Sequence, residues 1–233
     1  MTKLRIGFSP CPNDTFIFDA LIHGKIDTEG LEFDACMADV EELNLMAFRG
    51  ELDITKLSYH AFLHILEEYV MMDSGSALGN NCGPLLIKNV GDKNPIESDL
   101  IAIPGKYTTA NFLLNYAFPK LQNKQEILFS DIESAIKNKQ VSAGLIIHEN
   151  RFTYADRGFE KVKDLGEDWE QSTGMPIPLG GIAIKRNFDK ALQEKVQRLI
   201  RKSIEFSFEN PLESLEYVKL NAQEMDAEVM QKH

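Results

Sequence analysis

The chain has 233 residues, of which 43% are hydrophobic and 26% charged. That balance belongs to an ordinary folded protein, excludes a disordered or fibrous one, and leaves room for two small domains. A net charge of -11 argues against a nucleic-acid partner, which needs clustered Lys and Arg; an anionic ligand would have to be held by a local pocket of N–H groups, hydroxyls or a few cations.

Residues 4–8 predict a strand, and Asn13-Asp14 can cap a helix running from Thr15 through Ile17 and Leu21 to a stop at Gly24. The unit repeats with a strand over 31–37 and a helix opened by Asp39, with Glu42 in capping-box spacing and Leu43, Met46 and Ala47 as its buried face. A third strand over 52–57 leads into a helix over 59–67, and apolar runs follow at 69–72 and 84–87. The polar, turn-rich segment 88–95 reads as a domain crossing. Beyond it, strands over 100–103, 126–129 and 143–147 and helices over 109–118 and 131–138 predict a second α/β unit. The chain then crosses back near 176–183, adds a strand over 182–184, and ends in helices over 189–206 and from Pro211 onward.

The expected fold is therefore α/β and two-lobed, with 1–88 and 183–233 forming a discontinuous first lobe and 89–182 the second. Each lobe is expected to be a mixed, mostly parallel sheet flanked by helices, with a ligand cleft between hinged lobes that close on it.

Ligands of such sheets sit at the carboxyl ends of the strands, and those loops carry the candidate residues. The first, Ser9-Pro10-Cys11-Pro12-Asn13-Asp14-Thr15, is stiffened by two prolines and offers Ser9 and Asn13. The third strand ends in Lys56-Leu57-Ser58-Tyr59-His60, where Lys56 and Ser58 are read as functional and His60 as an ordinary helix residue. The Gly/Ser-rich loop from Ser74 to Pro84, with Ser76 and Gly83, allows a backbone to approach a ligand closely, but its glycines match no nucleotide-binding pattern. Thr109 and Ala110 open a helix after a strand, a geometry that gathers free N–H groups for an anion.

His148 follows the apolar run Leu145-Ile146-Ile147, and its titration range suits general-base work. Glu149, Arg151 and Asp156 are read as surface or hinge-side charges. The three cysteines, Cys11, Cys36 and Cys82, form no Cys-x-x-Cys pair; with neither a secretory leader nor a run of transmembrane length, they predict a cytoplasmic protein without a membrane span and without a metal.

Taken together, Ser-Pro-Cys-Pro-Asn-Asp-Thr-Phe from Ser9, Asp-Val-Glu-Glu-Leu-Asn from Asp39, Asp-Ile-Thr-Lys-Leu-Ser-Tyr-His from Asp53, Ser-Gly-Ser-Ala-Leu-Gly from Ser74, Cys-Gly-Pro-Leu-Leu from Cys82, Gly-Leu-Ile-Ile-His-Glu from Gly144 and Pro-Ile-Pro-Leu-Gly-Gly from Pro176 give a likeness along nearly the whole chain. In these motifs the chain resembles the 1,4-dihydroxy-6-naphthoate synthases of the futalosine route to menaquinone. The resemblance implies a fold like the type II periplasmic solute-binding proteins. It also implies an enzyme that breaks cyclic dehypoxanthine futalosine into the dihydroxynaphthoate and a sugar-derived fragment, with no metal or organic cofactor. It makes His148 the proton acceptor, places Lys56, Leu57 and Ser58 at the substrate in one lobe, and places Thr109 and Ala110 there in the other. Family members carry a further C-terminal helical segment where this sequence stops at Gln231-Lys232-His233.

Two rival functions are a non-catalytic module that binds a small anion and the chorismate dehydratase of the same pathway. The missing leader counts against a transport receptor, and the Ser-Pro-Cys-Pro-Asn-Asp and Ile-Ile-His-Glu segments favour the synthase. The partner expected is a small anionic molecule, with a homodimer allowed for.

Overall fold

In the computed structural model, which describes residues 2–147 and 150–221, the first apolar run is strand β1 (Thr2–Phe8), with Leu4, Ile6 and Phe8 buried. Helix α1 (Pro12–Ile22) follows, starting on a proline whose missing N–H is no loss at that position. Its N-cap is Cys11, whose side chain makes no capping hydrogen bond. The expected Asn13-Asp14 cap is thus corrected: Asp14 stands in the first turn, and its carboxylate faces partners from other elements.

Strand β2 (Leu31–Met37) leads to helix α2 (Val40–Phe48), where Asp39 accepts from the N–H groups of Glu41 and Glu42 at 2.8 and 3.2 Å. Strand β3 (Ile54–Ser58) is buried along its length. The helix expected over 59–67 is a single turn, α3 (Tyr59–Phe62), because Leu63 and Leu66 are exposed and offer no apolar face to extend it. Strands β4 (Tyr69–Met71), β5 (Ala77–Gly79), β6 (Leu85–Asn89) and β7 (Ile101–Ile103) precede helix α4 (Thr109–Ala117). Strand β8 (Lys124–Glu126) stops short of the expected 126–129, since Phe129–Asp131 wind into a 3-10 turn before helix α5 (Ile132–Lys137).

Next come β9 (Ala143–Ile146), α6 (Asn150–Thr153), β10 (Phe159–Asp164) and α7 (Leu165–Thr173). Strand β11 (Ile177–Lys185) and helices α8 (Lys190–Glu209) and α9 (Pro211–Asn221) close the described chain. Neither β10 nor α7 was predicted.

The chain divides into two compact units, one joining the residues up to Ala77 with those from Gly180 onward, the other Leu78–Leu179. In the first, the sheet runs β2-β1-β3-β11-β4, with β5 paired to β11. Strand β1 is parallel to β2 and β3, whereas β11 returns antiparallel between β3 and β4. The core brings Ile6, Phe8 and Ile182 of this sheet against Phe18 of α1 and Val196, Leu199 and Ile200 of α8. Hydroxyls of Ser203 and Ser207 tie the two helices by donating to the Ile17 and Phe16 carbonyls at 2.6 and 2.8 Å.

The second unit has the order β10-β6-β9-β7-β8, with β7 parallel to β8 and β9 and β6 antiparallel to β9 and β10. One face buries Leu86, Ile101, Leu113 and Leu145, the other Ile87, Ile132, Ile136 and Phe159. Because β6 pairs within this sheet, the first crossing falls after Ala77 rather than at 88–95. Among the described residues, no helix is long and apolar enough to cross a membrane.

Candidate functional site

Each unit gathers part of the predicted set. In the first, parallel strands β1 and β3 bring Ser9 and Lys56 together at their carboxyl ends, and Asp14 joins them from α1. The Asp14 carboxylate takes Lys56 Nζ at 2.9 Å on one oxygen. On the other it accepts the Ser9 hydroxyl at 2.7 Å and the Ser9 N–H at 3.1 Å. Asp14 is 2% exposed and Lys56 8%.

Burial alone would push Asp14 toward its neutral form, but the Lys56 charge and the hydrogen bonds from Lys56 and Ser9 outweigh it and hold the carboxyl below the usual range. Burial likewise disfavours the Lys56 ammonium, and the Asp14 charge outweighs it, so Lys56 titrates above its ordinary value. Cys11 Sγ lies 2.9 Å from Ser9 Oγ. Burial and the Asp14 charge push this thiol up to about 12, so it stays neutral.

A second acceptor for Lys56 Nζ is the Gly75 carbonyl at 3.2 Å. Gly75 has φ +80°, and a Cβ there would stand 2.2 Å from Ile182 Cδ1, so this bend of the chain requires glycine. Next to it, the exposed Ser76 accepts from the Tyr59 hydroxyl at 2.9 Å. Ser58 is fixed by Asn44, whose Oδ1 takes the Ser58 N–H at 3.0 Å and whose Nδ2 reaches the Ser58 hydroxyl at 3.4 Å and Glu41 at 3.0 Å. The Leu57 side chain is fully buried, which leaves only its main chain for a ligand. Asn13 is exposed on the first turn of α1 and joins none of these bonds.

In the second unit, Thr108 caps α4 by accepting from the Asn111 N–H at 3.2 Å, and the first intrahelical bond is Phe112 N–H to the Thr108 carbonyl at 3.1 Å. The N–H groups of Thr109 and Ala110 therefore have no intrahelical acceptor and stand at the positive end of the helix. The Thr109 hydroxyl is engaged elsewhere, donating to the Leu179 carbonyl at 2.9 Å. What this helix start offers an anion is backbone, not hydroxyl.

Gly83 is buried against α7, and its carbonyl accepts from Arg151. Arg151 also pairs with Asp164 at 3.0 Å and donates to the Asn81 carbonyl at 3.3 Å. It ties Asp164 to the Asn81 and Gly83 carbonyls within this unit, where the sequence led us to expect a surface or hinge-side charge. His148 and Glu149 lie outside the described residues; β9 ends before them at Ile146 and α6 begins after them at Asn150.

His60 and His64 form a His-x-x-x-His pair that the expectation of no metal passed over, their rings edge to face at 5.3 Å. Among the described residues, however, no three His, Cys, Asp or Glu could hold a metal ion together.

A family model described as menaquinone biosynthesis matches residues 4–232. A Thermus thermophilus protein named "1,4-dihydroxy-6-naphtoate synthase" is 41% identical over 233 residues, covering 100% of this chain and 85% of that protein. A Streptomyces coelicolor protein of the same name is 38% identical, covering 99% of this chain and 83% of its own. Among solved structures, a protein from Archaeoglobus fulgidus matches with TM-score 0.89 and 37% identity over 99% of this chain and 86% of its own. The alkanesulfonate-binding protein of Xanthomonas axonopodis, solved bound to MOPS, matches with TM-score 0.74 and 12% identity over 100% and 83% of the two chains. That likeness speaks for the fold alone, which is of the periplasmic-binding-protein kind.

Proposed function

The chain belongs to the menaquinone biosynthesis family, with 1,4-dihydroxy-6-naphthoate synthases as its relatives, and from that premise we propose that it is a cytoplasmic carbon–carbon lyase acting on cyclic dehypoxanthine futalosine. Its products are 1,4-dihydroxy-6-naphthoate and the sugar-derived fragment. The observation that carries the reading is identity of 41% to a synthase along the entire chain.

In this reading His148 is the general base, taking a proton from a hydroxyl of the sugar-derived portion and making that oxygen an electron donor for carbon–carbon cleavage. Lys56 is a poor alternative, since its pairing with Asp14 holds it in the ammonium form. The Lys56–Asp14 pair is neutral overall and contributes N–H donors rather than net charge. Attraction for an anionic substrate then falls to the N–H groups of Thr109 and Ala110, acting against a chain of net charge -11. Ser9, Ser58, Ser76, Gly83 and the Leu57 main chain supply the remaining polar contacts.

The test is to incubate the purified protein with cyclic dehypoxanthine futalosine and follow the naphthoate by mass spectrometry. Its appearance supports a synthase. Unchanged substrate that nonetheless binds would mean a binding module, and turnover of chorismate instead would mean a dehydratase.

A further inference from the structure

We infer that Asp14 is a positioning residue for Lys56, fixing where the ammonium points without itself touching the substrate. This rests on the reading above that Lys56 contacts the ligand. A lysine ammonium has three N–H donors on a flexible stem. Two of them are taken here by acceptors from separate segments, Asp14 Oδ1 at 2.9 Å and the Gly75 carbonyl at 3.2 Å. With two directions fixed, the tetrahedral geometry of the nitrogen fixes the third, and that donor, which meets no acceptor among the described residues, is the one left for a ligand.

Asp14 cannot easily swing away, because its second oxygen is held by both the N–H and the hydroxyl of Ser9. One carboxylate thus sets the end of β1 and the end of β3 against each other, although the two partners lie far apart in sequence. The Gly75 carbonyl is presented by a left-handed backbone turn that leaves no room for a side chain.

Among the described residues, the titratable groups facing the ammonium are Asp14 from α1, Cys11 from the loop before it and Tyr59 from α3. Cys11 is a neutral thiol and Tyr59 a phenol, so Asp14 supplies the opposing charge. Replacing it by Asn keeps the shape and an acceptor for Ser9 but leaves Lys56 buried without an anion. Burial then disfavours the ammonium, which is present below its lowered pKa and lost as pH rises through it.

The experiment is calorimetric binding of 1,4-dihydroxy-6-naphthoate to the full chain between about pH 6.5 and 8.5, where an ordinary lysine stays charged. Wild type, Asp14→Asn, Asp14→Glu, Lys56→Met and the double variant Asp14→Asn/Lys56→Met are compared, each first shown to be folded by its thermal transition. Lys56→Met should weaken binding equally at every pH. Asp14→Asn should bind near wild type at the acid end and lose about tenfold toward the alkaline end, for a pKa lowered by some units. Asp14→Glu should restore a flat profile, and Asp14→Asn should add nothing once Lys56 is gone.

An Asp14→Asn loss that is the same at all pH and persists in the Lys56→Met background would show a merely structural carboxylate and overturn the positioning role. So would wild-type binding by Asp14→Asn throughout. Should Lys56→Met bind as tightly as wild type, the assignment of Lys56 to the substrate falls, and the role of Asp14 falls with it.

Discussion

Gly83 and Gly166 meet backbone to backbone: a Cβ built on Gly83 would stand 2.4 Å from the Gly166 Cα, and one built on Gly166 2.6 Å from the Gly83 Cα. Neither neighbour has a flexible end that could move aside. Gly83→Ala should therefore cost about 1–3 kcal/mol, the usual range for overpacking, toward its upper end. Urea unfolding checks this, and a midpoint equal to wild type would mean that the contact is looser than its geometry.

Asp164 uses one carboxylate oxygen to cap α7, accepting from Gly166 and Glu167 at 3.1 Å each, and the other to take Arg151 at 3.0 Å. Arg151→Met leaves this nearly buried charge with its cap but without its cation. A loss of about 3 kcal/mol is expected, as when one partner of a buried pair is removed. Thermal or urea unfolding measures it, and a loss below about 1 kcal/mol would place the pair with solvent-exposed bridges.

At Thr109 two substitutions separate hydroxyl from N–H. Thr109→Val removes the bond to the Leu179 carbonyl and should cost about 1 kcal/mol of stability while leaving naphthoate affinity nearly unchanged. Thr109→Pro also deletes the N–H. The backbone accepts it, since position 109 opens the helix and Thr108 is extended at φ -71° and ψ 149°. Proline should weaken binding about tenfold beyond valine, the worth of a hydrogen bond to a charged group; equal affinity in the two would show that this N–H makes no ligand contact.

His148→Asn removes the basic nitrogen while keeping much of the side chain's shape. Single-turnover assays should show a loss of roughly 10²–10⁴-fold in rate, with product binding little altered. Full activity would put the base elsewhere.

Acid sensitivity should show at Asp19, whose carboxylate is buried and takes Lys25 at 2.6 Å and His23 at 2.7 Å. Burial opposes its charge, but hydrogen bonds led by Lys25 hold its pKa below the ordinary value. A depressed carboxyl contributes stability above its unfolded pKa of about 3.9 and loses it as pH falls through the folded value. The gap in Tm between wild type and Asp19→Asn should be wide at neutral pH and shrink below about pH 4. A gap that stays constant into acid would show that the carboxyl is not ionised in the folded protein.

What could be read from the sequence was whatever has a local signal. β1, β2 and the Asp39 cap of α2 each rest on residues within a turn or two of one another. β10 escaped because Phe-Glu-Lys-Val-Lys-Asp is an edge strand with a single fully buried residue, and α7 because its sequence is mostly polar. Within the site, the loop around Ser9 and the end of β3 stood out by composition, but Asp14 was taken for a cap. Its real partner lies on another strand, and no periodicity links position 14 to 56. Arg151 was misread for the same reason: its pairing with Asp164 exists only once β10 and α7 are in place.

Strand β11 lies between β3 and β4, inside the first sheet, yet it is the last strand of the described chain to be made. As the polypeptide leaves the ribosome, β1, β2 and β3 emerge early and wait with the apolar faces that Ile182 and α8 will later cover exposed. The second unit, an unbroken stretch from Leu78 to Leu179, has every strand of its five-stranded sheet to hand sooner and waits for none made later in the chain. Synthesis from the N-terminus therefore reverses the order in which the units can be completed, and the first-made segment is the one that depends longest on protection from aggregation.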